Sequence, residues 1–298
     1  MRQQVSLLPD RRRLHLQDGP IDLVIEAFAG SAEVKTAYDA AITRFQTVLD
    51  ELCAELSLLR MPAGPDTPMP KGTTARRMAM AVAPYAEETF ITPMAAVAGA
   101  VAEEILEAMT SAAKLSKAYV NDGGDIALHL APCEQFVVGM IDRPDRPSLF
   151  GTAILGSADP VRGIATSGWR GRSFSLGIAD AVTVLARNAA MADAAATVIA
   201  NAVDLPGHPK VHRVSARSIA PDSDLGDRLV TRFVEQLSAE DIMCALNQGA
   251  AVSGQLRSEG LIHSAALLLQ GETRIVARND LITSVAANRE PSRSLAHA

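Results

Sequence analysis

Cysteine is scarce in this 298-residue chain: the three residues Cys53, Cys133 and Cys244 lie far apart and without a Cys-x-x-Cys spacing. Neither a disulfide framework nor a zinc knuckle fits that pattern. Aromatic residues make up only 4% of the chain, the net charge is −6, and no basic run is longer than Arg11-Arg12-Arg13. A nucleic-acid partner would need a basic face and stacking platforms, so none is expected. Uninterrupted apolar runs long enough to span a bilayer, about 18 residues or more, are missing, and Met1 to Asp10 has no apolar signal-peptide core. Together these absences predict no membrane association and a reducing, cytoplasmic setting.

Apolar residues are plentiful, at 48% against 21% charged, enough for one large core. Asp18-Gly19 between two alternating segments predicts an opening hairpin. Val34, Tyr38, Ala41, Phe45, Val48, Leu52, Leu56 and Leu59 recur at three- and four-residue steps, predicting a helix from Ser31 to about Leu59. Residues 61–74 hold Pro62, Pro65, Pro68 and Pro70 with Gly64 and Gly72, and read as an exposed linker or lid. Helices are expected over 74–82, 93–109, 189–203 and 238–248. Strands are expected over 117–126, 135–141, 161–165, 179–186, 208–217, 264–270 and 274–277. Because they do not alternate with a βαβ period, the fold class is α+β, a mixed sheet core with packed helices. Residues 1–284 are taken as one domain with room for two lobes around one core, and 285–298 as a frayed tail.

The chemistry concentrates in the second half. Asn188 has the position of an N-cap for an alanine-rich helix on which Asp193 and Thr197 are four apart, stacking a carboxylate and a hydroxyl on one face with Cβ atoms roughly 5–6 Å apart. That pair suits a hard cation such as Mg2+, although about six oxygen ligands are wanted and the pair supplies two. The alternatives are a carboxylate near the positive helix end and a threonine bonding back to the backbone. Upstream, Ser167, Gly168, Arg170, Arg172 and Ser173 sit in a glycine-rich segment whose amides and guanidinium groups are suited to a phosphate; a tight turn with solvated arginines is the other reading. Gly123-Gly124-Asp125 would let a ligand approach the backbone, or forms a turn. Pro209 between His208 and His212 argues against a helical metal pair, Lys71-Gly72-Thr73-Thr74 lacks the phosphate-loop frame, and nothing orients His129 and Cys133 as base and nucleophile.

Two segments carry a family resemblance. Ala192-Asp193-Ala194-Ala195-Ala196-Thr197 is similar to the Ala-Asp-Ala-x-x-Thr motif of the ApbE-like superfamily, the FAD:protein FMN transferases, and Val120-Asn121-Asp122-Gly123-Gly124-Asp125-Ile126 resembles that superfamily's Val-Asn-x-Gly-Gly-Asp-Ile. The order of the two is the same. The resemblance covers nearly the whole chain and implies an ApbE-like fold, Mg2+ at Asp193 and Thr197, an FAD or FMN nucleotide, and transfer of FMN to a protein acceptor that the sequence does not identify. The chain departs from the pattern twice. Ala98-Gly99-Ala100-Val101-Ala102-Glu103 stands where the superfamily has Lys-Gly-Tyr-Ala-x-Asp, and Gly168 to Gly177 replaces its His-x-x-Asp-Pro-x-Thr-Gly. The chain thus resembles a divergent branch, in which either an Mg-dependent FAD-cleaving or FMN-transferring enzyme survives or a binding protein keeps the fold and the anion pocket without catalysis. It also lacks the lipobox cysteine of exported members.

Overall fold

In the computed structural model, residues 3–141, 149–277 and 282–284 are described; the expected tail, 285–298, lies outside them. The chain opens with β1 (Gln4–Leu7), β2 (Leu14–Asp18) and β3 (Ile21–Phe28), where buried and half-buried residues alternate as in a sheet with one covered face. The turn is Gly19-Pro20, with Gly19 at φ +57° and Asp18 paired to Ile21. α1 (Ser31–Ala54) follows, buries Ala37, Tyr38, Ala41, Phe45, Val48 and Leu52 along one stripe, and continues after Glu55 as α2 (Leu56–Leu59). The proline-rich segment leads to α3 (Thr73–Val82), and a 3-10 turn at Pro93–Ala96 runs into α4 (Val97–Ala112).

Where one strand was expected over 117–126, the chain forms a hairpin of β4 (Lys117–Asp122) and β5 (Asp125–Leu130). Gly123 and Gly124 are its two-residue turn, at φ +66° and +118°, conformations that glycine adopts without a Cβ penalty. β6 (Gln135–Ile141) and β7 (Leu149–Gly156) pair with each other, and β8 (Gly163–Ser167) and β9 (Ala181–Ala186) return to the main sheet. Then come α5 (Ala189–Ala202), β10 (Val211–Ser215), α6 (Ala216–Ile219), β11 (Leu229–Val234), α7 (Ala239–Ser258), β12 (Ser264–Leu269), β13 (Glu272–Val276) and β14 (Ile282–Ser284). A capping box, with the Ser238 hydroxyl accepting from the Asp241 amide, starts α7, which runs ten residues beyond the 248 expected.

The main sheet has nine strands in the order β1-β2-β3-β4-β5-β8-β9-β12-β13, flanked by the β10-β11 pair and a β14-β7-β6 sheet. Every pairing among the described residues is antiparallel. The fold is therefore α+β, with an antiparallel rather than mixed sheet. All six residues of β9 and all six of β12 are buried because both faces are covered there. α1, α4, α5 and α7 pack on one face, while Ala153 and Leu155 of β7 meet Leu128, Ile164 and Leu185 on the other. Alanines let α5 lie very close to its neighbours: a Cβ on Gly163 of β8 or on Gly99 of α4 would overlap the backbone at Asn188 and Ala189.

Candidate functional site

The Gly123-Gly124 turn, the segment after β8 and the side of α5 that carries Asp193 come together at one end of the main sheet. Asn188 caps α5 as its sequence predicts, its Oδ1 accepting from the Met191 amide at 2.9 Å. One turn later the Gly99 amide, in the first turn of α4, donates to Asp193 Oδ2 at 3.1 Å. The Thr197 hydroxyl, one turn further on, makes no hydrogen bond among the described residues. Asn201, next along that face, is spent on structure: its Oδ1 accepts from the Leu176 amide at 2.9 Å and the Ser175 hydroxyl at 3.3 Å, fixing the return of the glycine-rich segment.

Asp125, at the start of β5, lies near enough to Asp193 for the charges of the two to interact. Its Oδ1 accepts the Thr166 amide at 3.2 Å, and Asn121 Oδ1 accepts the Gly124 amide at 2.8 Å, which closes the turn. Asp122 is buried on the other side of that turn, with the exposed Arg172 Nη2 at 3.8 Å from its Oδ1. The guanidinium lies where a side chain at position 123 would be. Burial raises the pKa of all three carboxyl groups. Asp122 rises to about 7 against the pull of the Asp22 amide and Arg172. Asp125 is held well above its ordinary value by burial and by the charges of Asp193 and Asp122, and Asp193 is raised by burial and by Asp122 against the Gly99 amide. These are three carboxylates with one cation beside them. Among the described residues no three His, Cys, Asp or Glu side chains converge tightly enough to hold a metal ion.

The remaining expected ligand residues divide. Arg172 and the Gly123-Gly124-Asp125 turn reach the carboxylates, whereas Arg170 turns away: its Nε donates to Asp180 Oδ1 at 2.6 Å and its guanidinium stacks 4.3 Å over the Trp169 ring. Gly168 packs against the Asp180 backbone, Ser167 ends β8, and Ser173 is exposed. Glu55 accepts the Lys71 and Gly72 amides, and His129 bonds the Leu115 carbonyl. Three important residues escaped sequence reading. Asp180 ties down the segment, Asp122 completes the carboxylate group, and Glu103 accepts the Ala190 amide of α5 at 2.7 Å. Asp122 lies inside the Gly-Gly-Asp segment and Glu103 ends the segment that stands in place of the superfamily's Lys-Gly-Tyr-Ala-x-Asp, whereas Asp180 carries no local signal.

Comparison with known proteins decides the family. A family model described as "AbpE bacteria" matches residues 5–275. The chain belongs to that family. It is a divergent ApbE-like branch, as the two motifs implied. It is 39% identical over 130 residues to a UPF0280 protein of Methanopyrus kandleri, covering 43% of this chain and 48% of that protein. A UPF0280 protein of Archaeoglobus fulgidus is 36% identical over 136 residues, covering 44% and 53%. That of Methanosphaerula palustris is 35% identical over 182 residues, covering 58% and 70%. The chain thus spans about half the length of the first two relatives. Among solved structures it is similar to the apo form of the Pseudomonas stutzeri flavinyl transferase ApbE, with 12% identity, a TM-score of 0.45 and 95% of each chain covered. It is also similar to the flavin transferase ApbE from Vibrio cholerae, with 13% identity, a TM-score of 0.38, and 93% and 98% covered. No helix among the described residues is long and apolar enough to cross a membrane.

Proposed function

We propose that this protein binds a flavin nucleotide, FAD or FMN, through Mg2+ at Asp193 and Thr197. The observation that supports the reading is the placement of Asp193 and Asp125 at the same end of the main sheet, with Asp122 beside the Gly123-Gly124 turn: burial first, and then the charges of neighbouring carboxyl groups, raise their pKa values, so ionising the set there would favour a bound cation. The donor set suits a hard cation, since it offers carboxylate oxygens and, on Thr197, a hydroxyl with no hydrogen bond among the described residues. Protein side chains supply too few ligands by themselves, which suits a site completed by water and phosphate oxygens. Bound there, Mg2+ would act as a Lewis acid and template on the diphosphate.

The protein's own groups have separable tasks in this reading. Asp193 is oriented by the Gly99 amide, so its carboxylate is fixed before any ligand arrives. Arg172 stands over the Gly123-Gly124 turn with a guanidinium able to take a phosphate oxygen, and the turn leaves room for a ligand to approach the backbone. Whether FMN is transferred or FAD cleaved depends on a base that the replaced His-x-x-Asp-Pro segment would have supplied; that replacement favours the second reading, a binding protein without catalysis. The protein is read as cytoplasmic and its protein acceptor is left open. Calorimetry of FAD and FMN with and without Mg2+ tests the proposal: a metal-dependent gain in affinity is expected, and equal affinities would overturn it.

A further inference from the structure

The segment after β8 also serves a second cavity, separate from the carboxylate group and defined by Arg170, Asp180, Val234, Gln236, Leu268, Gln270 and Gly271, with a volume of about 280 Å³. Its walls are braced by hydrogen bonds. Asp180, buried, accepts from Trp169 Nε1 at 3.1 Å, Arg170 Nε at 2.6 Å and the Gln270 amide at 2.6 Å. Gln270 and Gly271 form the β12-β13 turn at φ +48° and +90°. The Gln270 side chain fixes that turn to the chain after β11, its Oε1 accepting from the Leu237 amide at 2.9 Å and its Nε2 donating to the Glu235 carbonyl at 2.8 Å. Such a cavity needs little rearrangement to be filled.

Two polar groups on its wall remain unspent. Arg170 uses Nε on Asp180 and a ring face on Trp169, but its terminal nitrogens have no hydrogen-bond partner among the described residues, and neither does the Gln236 side-chain amide. A guanidinium locked at its Nε edge and ring face presents an end-on fork with the geometry of a carboxylate. Asp180 already places one negative charge at the far edge, so a monoanion meets less repulsion than a phosphate dianion would. Val234 and Leu268 provide an apolar wall, and the volume, just under the roughly 300–1,000 Å³ of pockets for drug-sized ligands, fits a small molecule.

We propose that this cavity binds a small monocarboxylate, held end-on by the terminal nitrogens of Arg170, with Gln236 hydrogen-bonding an amide on the ligand. The carboxylate is that of a free acid or of a polypeptide C-terminus.

Trp169 is the chain's only tryptophan and lies under Arg170, so its emission reports directly on the cavity. The intact protein, free of nucleotide and of Mg2+, is titrated with N-acetylglycine, acetate and inorganic phosphate; the result is therefore independent of the flavin proposal. A saturable change with N-acetylglycine is expected, weaker with acetate and weakest with phosphate. Arg170→Lys keeps a cation beside Asp180 but removes the fork, and should weaken N-acetylglycine at least about tenfold. Gln236→Ala alters an exposed side chain and leaves the ion pair intact; it should weaken N-acetylglycine more than acetate, and it keeps the test alive if Arg170→Lys misfolds. A tripeptide with a free C-terminus that binds as well as N-acetylglycine, while its C-terminal amide does not bind, assigns the site to chain ends; tripeptide binding much weaker than N-acetylglycine assigns it to a free acid. No saturable response to either carboxylate, tighter binding of phosphate, or a response unchanged in both variants overturns the proposal.

Discussion

Glu103 and Asp193 cap each other's helices: Glu103, on α4, accepts the Ala190 amide in the first turn of α5 at 2.7 Å, and Asp193, on α5, accepts the Gly99 amide in the first turn of α4 at 3.1 Å. Amides in a first helical turn have no intrahelical partner, so each carboxylate satisfies a donor the other helix leaves open. Gly99 lets the helices approach closely enough for the exchange, because a Cβ there would overlap the Ala189 carbonyl. Asp193 is thus a structural acceptor on one oxygen, and the proposed metal role falls to the rest of the carboxylate.

That division separates two substitutions. Asp193→Asn keeps an oxygen for the Gly99 amide and removes the charge. It should weaken Mg-dependent nucleotide binding at least about tenfold, or about 1.4 kcal/mol, by calorimetry, while the melting temperature moves by only a few degrees. Glu103→Ala leaves the Ala190 amide without its acceptor and Arg77 without one of its three carboxylate partners, Glu103, Glu104 and Glu107. A stability loss of about 1–3 kcal/mol in denaturant unfolding is expected. Equal stability losses from the two substitutions would mean that the exchange of caps does not divide the roles in this way.

Gly99→Ala tests the closeness of the helices. The clash is with backbone, not with a flexible side-chain end, so the added methyl must force α4 and α5 apart. A destabilisation of about 1–3 kcal/mol is expected, accompanied by loss of Mg2+ affinity because the Gly99 amide moves away from Asp193. Gly254→Ala, in α7 with open space around it, is the control and should cost nothing comparable.

How much of this was legible in the sequence depends on the range of the interaction. Periodicity gave α1, α3, α4 and α5 close to their observed limits, because an apolar stripe is written within each segment. The Asn188 cap and the Asp193, Thr197 pair were equally local. β7 and β11 went unread because each takes its identity from a partner strand. Gly123-Gly124 was noticed as a motif, yet its place as a hairpin turn depends on the pairing of Asp122 with Asp125. Arg170 and Arg172 looked equivalent two residues apart. Only the fold sends one to Asp180 and the other to Asp122, residues ten and fifty positions away. Glu103 and Asp193 each lie in a segment that stands out in the sequence, but their reciprocal capping joins residues 87 and 94 positions apart, which neither local pattern can express.

The buried Asp122 gives the stability a pH dependence whose sign follows from burial. Its pKa is raised in the folded protein to about 7 from an ordinary value of 3.8, so folding favours its protonated form. Its contribution is full below the unfolded pKa and is lost as pH rises toward 7. Without metal or nucleotide, the melting temperature should fall between pH 5 and pH 8, and Asp122→Asn should flatten that fall and raise the melting temperature at pH 8. A wild-type protein that gains stability over the same range would show that Asp122 is ionised and compensated in the fold.

Arg172 offers the most direct separation of phosphate recognition from pocket shape. Its guanidinium is exposed, lies over Gly123 and is 3.8 Å from Asp122, too far for a tight pair, so it is available to a phosphate oxygen. Arg172→Ala should weaken FMN and FAD by about 1.5–3 kcal/mol, the range for a hydrogen bond to a charged group, and leave riboflavin unaffected. Because the side chain is mostly solvent-exposed, the fold should be little disturbed, and the loss should shrink as salt is raised. Arg170→Lys, which acts in the other cavity, should leave all three flavins unchanged. If riboflavin weakens with its phosphates, Arg172 shapes the pocket instead of reading the anion; if Arg170→Lys weakens FMN as much as Arg172→Ala, the two arginines serve one site, and their separate pairing with Asp180 and Asp122 does not divide their roles.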